Sequence, residues 1–99
     1  MQEKEMKDYV QKLCTETFKG ALQEMMKVMV EGLSKYPDDD WEHRPVMHHI
    51  QHIRAHLNNY KKNPGYENLE DLTHAMTRCT MLVQSQLNKQ AKNDNIRNP

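Results

Sequence analysis

Four histidines fall within nine residues of this chain: His48, His49, His52 and His56. Residues three or four apart share a face of an α-helix, so His48, His52 and His56 form an imidazole ladder. Glu67, Glu70, Asp71, His74 and Arg78 make a second polar ladder by the same rule. If the segments carrying them fold as a hairpin, the ladders converge on one groove. Such a groove holds donors and acceptors suited to a nucleobase edge, a sugar hydroxyl or a phosphate. Arg78 is the best single phosphate ligand there, because a guanidinium donates bidentately.

Three readings of the histidines compete. His52 and His56 have the i, i+4 geometry of a helical zinc site, but the Glu of an HExxH motif is missing and no cysteine is near. Taken singly, each histidine is a partly exposed polar residue beside an apolar stripe. That is the preferred reading of His43, His48 and His49. For His52, His56 and His74 the facing carboxylate/His/Arg ladder makes a ligand site an equal alternative.

The acids are weighed in the same way. Helical enzymes that cut nucleoside triphosphates between the α and β phosphates hold Mg²⁺ on several carboxylates, usually two on each of two helices. Glu67, Glu70 and Asp71 supply one half of such a metal site. The facing ladder offers histidine, a poor Mg²⁺ ligand. The first segment has Glu16, Glu24 and Glu31 but no tight ExxE pair beyond Glu3 and Glu5 at its end, so the catalytic set is incomplete. Met25, Met26 and Met29 are core or subunit-interface filler. Asp38, Asp39 and Asp40 form a turn and capping cluster. Trp41 and Tyr36 plug the end of a bundle, with stacking on a base as the alternative.

The elements that must position these groups are helical. Met6, Val10, Leu13, Cys14, Phe18, Leu22, Met25, Met29, Val30 and Leu33 recur at three/four spacing. Gly20 lowers helix stability by roughly 1 kcal/mol relative to Ala, so a bend or division is expected there. Tyr36-Pro37 stops the segment. Pro45 opens a second helix striped by Val46, Ile50, Ile53, Leu57 and Tyr60, which ends at Lys61-Lys62-Asn63-Pro64-Gly65. A third carries Leu69, Leu72, Met76, Cys79, Val83 and Leu87. The expected fold is all-α: a long N-terminal helix packed on an antiparallel two-helix hairpin. Residues 1–92 form one helical domain, and 93–99 (NDNIRNP) form a loose tail.

Composition bounds the rest. The chain has 99 residues, and its 14 Lys+Arg balance 14 Asp+Glu. Neutrality argues against generic DNA or RNA binding. No apolar run approaches a membrane span, and the N-terminus has no signal-peptide core. Cys14 and Cys79 are isolated, which indicates neither zinc nor a disulfide framework and favours a cytoplasmic setting. With 36% apolar residues and a mean hydropathy of −1.02, the core is thin, so self-association is expected to complete the bundle.

Three stretches carry a family pattern. The first is A-L-x5-V-x3-G-x2-K-Y-P-x-D-D-W, from Ala21 to Trp41. The second is W-E-x-R-P-V-x3-I-x-H-I-x2-H-L-x2-Y, from Trp41 to Tyr60. The third is E-D-L-x-H-A-x2-R-x2-M-L, from Glu70 to Leu82. Together they resemble the small helical phage and prophage domain named for the N-terminal domain of dATP/dGTP diphosphohydrolases. The resemblance implies an all-α domain that handles purine nucleotides in an infected or lysogenic bacterium. Lys35, Trp41, His52, His56, His74 and Arg78 occupy its patterned polar positions. Asp71 stands where the pattern has His, and one domain stands where a diphosphohydrolase carries more. The preferred expectation is therefore a protein, free of cofactors, that binds a purine or cyclic nucleotide and sequesters it as an anti-defence sponge. The alternative is a Mg²⁺-dependent dATP/dGTP diphosphohydrolase using Glu67, Glu70 and Asp71. A helical adaptor for a protein partner is the weaker third.

Overall fold

The computed structural model describes residues 1–97, all of whose regular elements are helical. α1 spans Glu3–Lys12, with Glu3 and Glu5 in its first turn and Lys12 in its last, matching the helix dipole at both ends. A π-turn, Leu13–Thr17, leads to α2, Lys19–Leu33. The expected break at Gly20 lies instead at Phe18, two residues earlier. There the Phe18 N–H donates to the Leu13 carbonyl at 2.8 Å and the backbone leaves helical angles at φ −96°, ψ 13°. Gly20 sits in the first turn of α2.

Tyr36 donates its N–H to the Gly32 carbonyl at 2.9 Å, closing α2 before Pro37. The short α3, Asp40–His43, follows. Its aspartates do not cap it: Asp39 accepts from His43 at 3.2 Å and Asp40 from Arg44 at 2.9 Å. α4 is Val46–Lys62 behind Pro45, with Lys61 and Lys62 in its last turn. Gly65, at φ 133°, makes the reversal that an L side chain rarely adopts. A 3₁₀ turn, Tyr66–Asn68, opens into α5, Leu69–Arg97. Residues 93–97, expected in a loose tail, continue this helix; the last two residues of that tail lie outside the described residues.

α5 is the spine of the fold. α4 lies along it over the longest interface, as the expected hairpin, and α2 and α3 pack on it too. The packed faces coincide with the apolar stripes only in part: Met25, Met29, Ile50, Ile53, Leu72 and Met76 are half-buried, but none of them is fully buried. On α5 the buried positions are Thr73, Ala75, Thr77 and Ser85, small residues that allow close helix approach. Their hydroxyls are satisfied locally: Thr73 donates to the Leu69 carbonyl at 2.9 Å, Thr77 to Thr73 at 2.8 Å and Ser85 to Leu82 at 2.8 Å. On α4 the only fully buried side chain is His49. Leu57, Leu69, Val83 and Leu87, assigned to core stripes from sequence, are exposed. No described helix is long and apolar enough to cross a membrane.

Candidate functional site

The α2–α3 turn, α4 and α5 enclose a cavity of about 610 Å³, within the range of small-molecule sites. Lys35, Trp41, His52, His56, His74 and Arg78 all line it. Each helix contributes by its register. His52 and His56 are one turn apart on α4, and His74 and Arg78 are one turn apart on α5. Lys35 and Trp41 come from either side of the Pro37 turn.

Trp41 is anchored by the one buried histidine. His49 Nε2 donates to the Trp41 backbone carbonyl at 2.9 Å, while its Nδ1 has no hydrogen-bond partner. A carbonyl only accepts, so the proton of this ring lies on Nε2. His49 thus pins α3 to α4, a structural role, but as a fully buried side chain and not the partly exposed one expected from sequence. His43 is engaged on the surface by Asp39.

The two ladders meet through their rings. His56 and His74 stack with centroids 4.7 Å apart and planes at 18°. His56 Nδ1 donates to Asp71 at 3.0 Å. His48 and His52 lie 4.5 Å apart on the same face. Burial holds both below the usual histidine range, and the nearby Arg78 guanidinium reinforces this. Both rings are therefore neutral at pH 7.

Arg78 is half-buried in the cavity wall, and burial lowers its pKa. Among the described residues no carboxylate lies within ion-pair distance of it. Asp40, whose charge acts on Arg78, is itself held below the carboxylate range by the hydrogen bond from Arg44.

The carboxylates grouped from sequence are dispersed. Glu67 lies in the exposed 3₁₀ turn, and Asp71 is taken by His56. Glu70 sits 3.6 Å from His74. The fold instead groups Glu70 with His74 and with Glu31 of α2, their ligand atoms within 4.8 Å of one another. Two carboxylates suit Mg²⁺ completed by water and phosphate oxygens, whereas the imidazole suits a softer divalent ion. Glu31 was not selected from sequence because only the packing of α2 on α5 brings it here. Gln84 and Asp38, further lining residues, carry no spacing signal either.

The family model for dATP/dGTP diphosphohydrolase, N-terminal, matches residues 2–95. The chain belongs to this family. No curated protein and no solved structure matches it. The match extends the resemblance of the three motif stretches across α1 and most of α5, so the cavity lies wholly inside the family domain.

Proposed function

We propose that this family member binds a purine nucleotide in the α2–α4–α5 cavity and holds it without cleaving it. The observation that carries the proposal is Arg78, a half-buried cation that has no carboxylate partner among the described residues and stands in the wall of a nucleotide-sized cavity. A phosphate is the group that satisfies a desolvated guanidinium through two parallel hydrogen bonds. Lys35 adds a second cation. Trp41 and Tyr36 offer planar faces to a base. His52, His56 and His74 offer ring nitrogens to sugar hydroxyls or a base edge. In an infected bacterium, holding a nucleotide signal in this way withdraws it from the defence system that made it.

The hydrolase alternative is favoured by two observations: the family match and the Glu31–Glu70–His74 group. In that reading these side chains hold a divalent ion, which supplies charge neutralisation at the phosphates.

The test is incubation with dGTP, dATP and a panel of cyclic nucleotides plus Mg²⁺, followed by heat denaturation and chromatography. Holding predicts a nucleotide depleted before heating and recovered intact after it. Monophosphate with pyrophosphate establishes the hydrolase instead. No nucleotide retained or cut leaves the adaptor reading.

A further inference from the structure

The surface of this chain is larger than a compact lone molecule of its mass exposes, and many of its large apolar side chains lie on it. Its accessible area is 8118 Å², whereas a compact monomer of this mass exposes about 5,900 Å². The radius of gyration is 16.4 Å, against about 13 Å for a compact chain of this length. The surplus of about 2,000 Å² per chain, about 4,000 Å² over two chains, lies in the range of total area that obligate homodimers bury.

That surplus has a location. On α2 the inner face, Met25, Val28 and Met29, turns toward α5; Thr80 Oγ1 lies 3.4 Å from Met25 Sδ. Next to it runs a second apolar row with steps of four, four, four and three: Phe18, Leu22, Met26, Val30 and Leu33. All five are exposed, Met26 by 60% and Val30 by 67%. Ahead of them α1 has no buried residue, and its main packing partner is the π-turn it runs into. A ten-residue helix is marginal in water without a packing partner.

We infer that the outer row of α2, extended by α1, is the contact surface for a second copy of this chain. The row is close to symmetric about Met26: Leu22 and Val30 lie four residues to either side, Phe18 and Leu33 eight and seven. A two-fold antiparallel contact between two α2 helices requires this self-complementarity, placing Leu22 opposite Val30 of the partner subunit. Neutral net charge sets no overall repulsion against pairing. Leu33 belongs both to this row and to the cavity wall, so the partner subunit would abut the nucleotide site. The inference goes beyond the nucleotide reading and stands without it.

The test is solution mass by light scattering across micromolar concentrations, with two variants. The wild type is expected at two copies, or an even multiple. M26E/V30E is expected at half that mass with its far-UV helical signal retained. In a C14S/C79S background, M26C is expected to form an intermolecular disulfide on mild oxidation. A monomeric wild type, or M26E/V30E at wild-type mass with native helicity, overturns the inference. If M26E/V30E loses helicity, M26C decides: cross-linking supports the contact and its failure overturns it.

Discussion

Arg78 is a fixed cation in a half-buried wall, and the residues around it are arranged to leave it available. Asp40 is bonded to Arg44 and Asp71 to His56. Arg78→Gln is therefore expected to weaken nucleotide binding by about tenfold or more, the weight of a charge-assisted hydrogen bond. The melting temperature should change little, since no ion pair is broken. Calorimetric titration beside a thermal melt checks both. His49 should behave in the opposite way. His49→Ala removes a fully buried side chain and its bond to Trp41, and a loss of about 2–4 kcal/mol is expected in urea unfolding. The histidines beside Arg78 add a pH dependence. His48 and His52 titrate below the usual value when folded, so the unfolded chain takes up their protons first. Stability contributed by these sites falls as pH drops through about 6.5 toward the lower native values. Affinity for an anion moves the other way, because a protonated His52 adds positive charge to the cavity. Titrations and melts at about pH 8 and about pH 6 should show the two trends diverging.

At the scale of the helix, a three/four spacing reveals that a segment is helical without revealing which face is buried. The all-α fold and the α4–α5 hairpin were legible in this way. The packed face of α5 was not, because Thr73, Thr77 and Ser85 bury hydroxyls by bonding them to their own helix, which hydropathy scores as solvent-facing. The meeting of His56 with His74 was legible, since both ladders follow helical register and the Pro64-Gly65 turn sets the hairpin. Glu31 was not, because its place depends on how α2 crosses α5. The glycines separate local from tertiary demands. Gly20 has helical surroundings with nothing within 4 Å of an added Cβ, so Gly20→Ala is expected to stabilise the fold by about 0.5–1 kcal/mol. Gly65→Ala should destabilise it, because φ 133° is strained for any Cβ. Chemical denaturation of the two variants should move in opposite directions.

For the whole molecule, neutral charge and a thin core acquire a spatial meaning. The buried interior is small and largely hydroxyl-bearing, while the apolar residues that read as core stripes lie largely on the outside of α1, α2 and α5. The melting temperature is accordingly expected to rise with protein concentration, as it does when folding is coupled to assembly. Charge is distributed differently from its total: Lys35 and Arg78 share the cavity with Glu31, Asp38 and Asp40, so the positive charge offered to a nucleotide is local to the wall around Arg78. The chain's only tryptophan, Trp41, lines that cavity, so its fluorescence reports on the site directly. The most direct measurement is titration of Trp41 emission with dGTP, dATP and cyclic nucleotides. A saturable change with one of these ligands, displaced to higher concentration by Arg78→Gln, is the result expected. An emission that stays unchanged with every nucleotide, or a titration identical in the Arg78→Gln variant, would contradict nucleotide binding at this site.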